Sequence, residues 1–376
     1  MLDNRLSIFA DLLLAHSVEL EPNQKVMIEM IGPTTELGSI LIDKVYEMGG
    51  LPFYTIKSTE LTGKIIHKCC GKQLNKMAEC ELKLLEDIDC YISLRAMDNI
   101  YEWSSLPTEK LLLYQNMYMG PVHYQYRIPN TKWVSVRYPT VSMAQMAGMN
   151  TAEFFNYFFD VTCINYPLLY QAMVPLKDKL ENTKKVKLFG KGTELTFLLD
   201  QIPVIVCAGK NNIPDGEVYT APLRESVSGY ITFNTPSVYQ GNYFSDVFLR
   251  FEEGKIVDTN ANIAPTLEQI LNIDGGARYV GEFGIGCNPF VTRPINDTMF
   301  NEKMLASIHI ALGNSYKNAF NGNHSAIHWD LVNNMHPDYG GGEVWFDDEL
   351  IIKDAQFVAD GLELLNSNKN KFRWRG

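Results

Sequence analysis

Apolar residues recur along the first half of the chain in two alternating rhythms. Short, nearly unbroken apolar runs such as KVMIEMIG (25–32), LPFYTIK (51–57) and CYISLRA (90–96) have the length and residue types of buried strands. Between the first two lies PTTELGSILIDKVYEMGG (33–50). A threonine can cap its start, its apolar residues are spaced three to four apart, and Gly49-Gly50 ends it, which predicts a helix. CELKLLED repeats the helical pattern just ahead of the third run. Strand, helix, strand at this spacing implies a parallel sheet with crossover helices. The opening MLDNRLSIFADLLLAHSVEL has a 3.6-residue period and predicts an amphipathic helix with Ile8, Phe9, Leu12 and Leu13 inward. Asp3 and Asp11 interrupt it and no small-residue cleavage site follows, so it does not read as a signal peptide. Residues 143–175 are helical and strongly apolar, with a Met and Phe stripe expected to be core and in part interface.

The rhythm changes after DKLENTKKVK (178–187), the most polar connector of the middle chain. From there the pattern is of short β runs punctuated by Gly, Asn and Asp, as in antiparallel sheets. The expected architecture is therefore α/β. An N-terminal α/β domain with a mainly parallel sheet is expected over 1–183, and a C-terminal α+β domain rich in antiparallel strands over 184–376. A chain of 376 residues is long enough for two such cores.

Charge narrows the choice of partners. Forty-four acidic residues against 33 basic ones give a net charge of -11, which speaks against nucleic acid as a partner. The densest basic stretch, NKNKFRWRG (368–376), is expected to be a solvated tail. The seven cysteines contain no CxxC and only one adjacent pair, Cys69-Cys70, which fits reduced thiols in a cytoplasmic protein. No run of 18 apolar residues suggests a membrane-spanning helix.

Candidate chemistry lies in three segments of the second half. HIALGNSYKNAFNGNHSAIHWDLV (309–332) holds three of the seven histidines. Within it SAIHWDLV alternates as a strand, so His328 and Asp330 share a face while Trp329 packs on the other. Imidazole and carboxylate so placed suit a divalent metal, and they equally suit a structural His–Asp hydrogen bond. ARYVGEFGIGCNP (277–289) sets Glu282 among glycines in an apolar strand. Those glycines have the wrong order for a dinucleotide loop and are better explained by close approach of a backbone or ligand. Burying that carboxylate requires a cation, whether a metal or a charged side chain. NNIPDGEVYTAP (211–222) places Glu217 after an Asp-Gly turn at the start of a strand, where it either serves a site or faces water. If Glu217, Glu282, His309, His328 and Asp330 converge, three carboxylates would repel one another without a cation. Two divalent ions would exceed their charge by one, which a bridging hydroxide cancels.

These segments, in this order, resemble the thermophilic aminopeptidase family (aminopeptidase T, AmpS, PepS). The likeness runs through TKWVSVRYPTVSMAQMAGMNTAEF (131–154), GTEL (192–195), PDGEVYTAP, GEFGIGCNP, HIALGNSY, SAIHWDLV and FDDELIIKDAQF (346–357), and so covers most of the chain. Carried over by position, it implies the metal ligands Glu217, Glu282, His309, Tyr316, His328 and Asp330, with Glu282 and Tyr316 also catalytic. Tyr316 enters through the resemblance alone, as a ligand or as a donor to an oxyanion. The resemblance further implies two divalent ions (Zn, Co or Mn) that activate a bridging water. The implied reaction is removal of the N-terminal residue from short peptides with a free N-terminus. A homodimer is also implied, whose N-terminal domains restrict access. Within the family the chain looks closest to the shorter leucyl aminopeptidase branch. It departs from the common pattern at NEK (301–303), GTEL and FNGN (320–323), none of which is an implied ligand. Another metal-dependent amidohydrolase and a non-catalytic metal- or peptide-binding homologue are the competing readings.

Overall fold

The computed structural model describes residues 3–374 of the chain, which form two compact units. The first combines the chain up to Cys163 with Gly209–Ile213 and Trp374. Its sheet contains β1 (Lys25–Ile31), β2 (Leu51–Lys57), β3 (Cys90–Arg95), β4 (Lys132–Arg137) and the short strand Asn212–Ile213. All pairs are parallel, in the spatial order β2, β1, β3, β4, 212–213. This is a doubly wound order with its switch point between β1 and β3. The crossover helix α2 (Thr35–Glu47) buries Leu37, Leu41 and Val45. Gly49, at φ +76°, ends it, and the N–H of Gly50 returns to Val45 O at 2.8 Å, the left-handed stop expected of a Gly pair. Helix α1 (Asn4–Leu12) buries Leu6, Phe9, Ala10 and Leu12. Ile8, expected inward, is only half-buried, and Leu6 takes its place. Met1 and Leu2, the first residues of that expected helix, lie outside the described residues.

The apolar stretch 143–175 is core, as expected, but it is not one helix. It divides into helices Val141–Met146, Thr151–Thr162 and α3 (Tyr166–Glu181), with a break at Gly148 (φ +64°). Phe158 and Phe159 pack edge-on to Phe9, at 5.4 and 6.5 Å between ring centroids. The expected division of domains at 183/184 differs from the contact pattern. Helix α3 sorts with the second unit, and residues 209–213 return to complete the sheet of the first. A connector's polarity marks solvent exposure, and it carries no information about which core the flanking helix joins.

The second unit holds two antiparallel sheets and a two-stranded hairpin. One sheet has eight strands, among them Lys185–Gly190, Thr193–Leu198, Ser228–Phe233 and Gly342–Phe346. The other contains β5 (Ile205–Cys207), β6 (Glu217–Thr220), β7 (Val280–Gly286), β8 (Ile308–Gly313) and β9 (His328–Asn333), in the order β9-β8-β7-β6-β5. Phe283 of β7 meets Phe197 of the larger sheet at 5.0 Å, so one face of the smaller sheet is sealed by sheet-on-sheet packing. Its opposite face carries the polar residues described below.

The basic tail is not solvated as expected. Phe372 is fully buried, and Lys369 and Arg373 lie over the Phe290 ring at 5.7 and 5.0 Å. One aromatic side chain outweighs the surrounding charges, which keep their heads in water while their stems cover apolar surface. Arg375 and Gly376 lie outside the described residues. No described helix is long and apolar enough to cross a membrane.

Candidate metal centre

Strand register brings the sequence candidates together. In the antiparallel ladder Gly286 lies opposite Glu217, Gly284 opposite His309, Ala311 opposite both Glu282 and Asp330, and Gly313 opposite His328. Directly opposed residues share a face, so all five polar side chains rise from the same side of the sheet. His309 Nε2 lies 3.1 Å from Glu282 Oε1 and 3.5 Å from Glu217 Oε2. His328 Nε2 lies 3.7 Å from Glu282 Oε2 and 3.6 Å from Asp330 Oδ1. Its other ring nitrogen, Nδ1, donates to Asn314 O at 2.7 Å, which fixes the ring and leaves Nε2 turned to the carboxylates. Tyr316 stands over His328 at 4.5 Å between ring centroids and near Tyr219 at 5.8 Å.

Glycines make the arrangement possible at two places. A Cβ on Gly284 would lie 2.2 Å from the His309 ring, and a Cβ on Gly286 would lie 2.1 Å from Met304 O. The first leaves room for the imidazole. The second lets the segment 302–304 cross against β7. The close approach expected of the GEFGIG glycines is therefore realised, by a side chain at one and by a backbone at the other.

Burial is graded across the sheet. His309 is fully buried and Glu217 and Glu282 nearly so, whereas Asp330 and His328 are partly open and Tyr316 is 45% exposed. Glu217 Oε2, Glu282 Oε2 and His309 Nδ1 are buried without a hydrogen bond. Burial pushes the Glu282 carboxyl above its usual range, opposed by the hydrogen bond from His309. For His309, burial disfavours the charged ring, but the bond to Glu282 and the charges of Glu217 and Glu282 overcome it and raise it to about 9. The carboxylates thus favour a positive charge between them, and the His309 ring is drawn toward its protonated form.

Sequence reasoning missed a neighbouring group. Lys303, 1% exposed, places its ammonium 2.5 Å from Glu217 Oε1, 2.9 Å from Glu302 Oε1 and 3.8 Å from Asp215 Oδ1. Burial and the facing charge of Lys303 act in opposite directions on Glu302, and burial prevails, raising it to about 8. In the sequence Asp215 reads only as part of a turn, and Glu302-Lys303 only as part of the NEK departure. Among the described residues, two groups of three side chains each offer potential ligand atoms within 4.8 Å of one another: Glu217, Glu282 and His309, and Cys207, Asp215 and Glu217. His324 and His336 stand apart from these contacts. His324 packs on Phe320, and His336 pairs with the exposed Asp338.

Comparison with known proteins places these observations in a family. The sequence profile of the thermophilic metalloproteases (M29) matches residues 2–354. Aminopeptidase AmpS of Bacillus subtilis is 33% identical over 148 residues, which cover 35% of this chain and 34% of that protein. Aminopeptidase T of Thermus thermophilus is 35% identical over 116 residues, covering 30% and 28%. These alignments span about a third of the curated relatives' own length. The solved structure of wild-type AmpT from Thermus thermophilus superposes with a TM-score of 0.79 over 95% of this chain and 99% of that one, at 21% identity, and so shares the fold.

Proposed function

The chain belongs to the thermophilic metalloproteases (M29), and from that premise we propose that it is a metal-dependent aminopeptidase removing the N-terminal residue of short peptides. One observation carries the reading. Three nearly enclosed groups, Glu217, Glu282 and His309, bring potential ligand atoms within 4.8 Å and leave Glu217 Oε2, Glu282 Oε2 and His309 Nδ1 without hydrogen bonds. Buried polar atoms left without partners are costly, and a carboxylate–imidazole donor set suits zinc, cobalt or manganese. We assign the ligands as Glu217, Glu282, His309, His328 and Asp330, with Tyr316 at the open edge. Bound there, two divalent ions would acidify a water between them, polarise the scissile carbonyl and take the free α-amine.

The chain's own groups then divide the work. Peptide and water enter on the side of Tyr316, His328 and Asp330, because the Glu217 side is sealed. Glu282 receives the proton of the attacking water and returns it to the leaving amine. Tyr316 donates its hydroxyl to the oxyanion. Asn314 O holds His328 in one tautomer. The first unit supplies the contacts of a homodimer. Its edge strand β2, which exposes Leu51, Phe53, Tyr54 and Ile56, supports that assignment. The setting is cytoplasmic, in keeping with seven free thiols.

The test is chelation, metal analysis and add-back of Zn, Co or Mn, read by p-nitroaniline release from leucyl anilide and from its N-acetyl form. Activity restored on the free-amine substrate alone is expected. Cleavage of the acetylated substrate would point to a general amidohydrolase, and full loading without peptidase activity to a binding protein.

A further inference from the structure

Glu217 stands between two clusters. Its Oε2 faces His309 on the side with the partnerless atoms. On the other side lie Asp215 and Cys207, which together with Glu217 offer a thiol and two carboxylates within 4.8 Å of one another. Sulfur with carboxylate oxygen is a donor set that zinc and cobalt accept. The ammonium of Lys303 already sits at this second cluster, 2.5 Å from Glu217 Oε1 and 3.8 Å from Asp215 Oδ1, with Glu302 Oε1 at 2.9 Å as its third carboxylate. The lysine reaches that position because Gly286 lets residues 302–304 cross directly against β7, and Asn288 N–H holds Lys303 O at 2.9 Å.

We propose that Lys303 is a built-in cation: a positioning residue that takes the place of a metal ion among Cys207, Asp215 and Glu217, and thereby commits Glu217 Oε2 to the His309 side. The inference rests on the metallopeptidase reading for the side of Glu217 that Lys303 leaves open. A tethered ammonium does two things a free ion cannot. It does not exchange with solvent, and it satisfies a fixed share of the acidic charge. A metal entering in its place would bind the Cys207 sulfur, and the thiol proton would leave to solvent. Burying an ammonium among three carboxylates is costly to arrange and gives little stability over an apolar equivalent, so a role in allocating cations accounts for it better than stability does.

The experiment loads chelated protein with cobalt(II) and reads bound equivalents together with the near-ultraviolet sulfur-to-cobalt charge-transfer band. Wild type is expected to show no thiolate band. Lys303→Ala should bind one further equivalent and gain the band, and Lys303→Ala with Cys207→Ser should lose it. Lys303→Arg keeps the charge and should show none. A thiolate band in wild type that Cys207→Ser removes would overturn the proposal. So would a folded Lys303→Ala protein, checked by circular dichroism, with unchanged stoichiometry and no band. Should Lys303→Ala not fold, Lys303→Met, which removes the charge and refills the volume, carries the same test, with the same two results supporting or overturning the proposal. A wild type that binds no cobalt at all would instead defeat the metallopeptidase reading, while the Lys303→Ala band is still read on its own.

Discussion

His309 occupies the space that Gly284 leaves open, and a single methyl group there tests how tightly the pair is fitted. Gly284→Ala places a Cβ 2.2 Å from the buried ring. Overpacking of this kind costs about 1–3 kcal/mol, so a lower denaturation midpoint is expected, together with metal affinity reduced more than stability alone accounts for, as read by competition with a chromogenic chelator. His328→Ala should abolish peptidase turnover with the circular dichroism spectrum retained, and near-normal turnover would remove His328 from the proposed ligands. At this scale the sequence was legible wherever a residue's period or neighbours betrayed it. His328 and Asp330 shared a strand face, and Glu282 sat among glycines. Lys303, Glu302 and Asp215 were opaque, because Lys303 meets Asp215 and Glu217 across 88 and 86 positions of sequence, which only the fold brings together. Asn288 Nδ2 donating to Asp215 O at 2.8 Å is one such tie.

At the scale of elements, the smaller sheet pairs each polar side chain with a small residue on the next strand: Gly286 with Glu217, Gly284 with His309, Ala311 with Asp330, and Gly313 with His328. Large residues at those positions would fill the space above the sheet, so the small partners keep it open. The parallel sheet of the first unit carries its own buried polar network. Glu29 of β1 accepts from Ser93 at 2.7 Å and pairs with Lys57 at 2.8 Å. Burial would raise the Glu29 carboxyl, but the charge of Lys57 dominates and brings it to about 2. Burial lowers His123 to about 4, where Arg127 Nε donates to its Nδ1 at 3.1 Å. Both groups bind protons less readily folded than unfolded. The contribution of these two groups to stability is therefore full above pH 6.5, falls first as His123 titrates between 6.5 and about 4, and falls again as Glu29 titrates between 4.5 and about 2. Each shift amounts to roughly 3 kcal/mol at most. Denaturant unfolding of wild type and His123→Phe across pH 7 to 3 should show wild type losing stability relative to the variant between pH 6.5 and about 4. Periodicity made these strands legible, down to the Gly49-Gly50 stop. It did not reveal the order β2, β1, β3, β4, 212–213, which depends on contacts far apart in sequence.

For the whole molecule, the proposed dimer can be tested at β2, where Tyr54 and Ile56 are 60% and 61% exposed on an edge strand. Tyr54→Glu with Ile56→Glu should shift the mass measured by light scattering from dimer to monomer with little loss of secondary structure, and an unchanged mass would place the interface elsewhere. Two cores were legible from length and from the change of rhythm near 178–187, but their interleaving was not, since nothing in GKNNI (209–213) marks it as belonging to the earlier sheet. That interleaving bears on synthesis. Strand 212–213 pairs with β4, and the backbone N–H of Trp374 bonds Cys163 O at 3.1 Å. A ribosome making roughly 5–20 residues per second therefore exposes the first four strands for seconds before the fifth emerges. The nascent first unit thus holds an unpaired strand edge for that interval, and its yield should fall more than its equilibrium stability predicts when chaperones able to cover that edge are depleted.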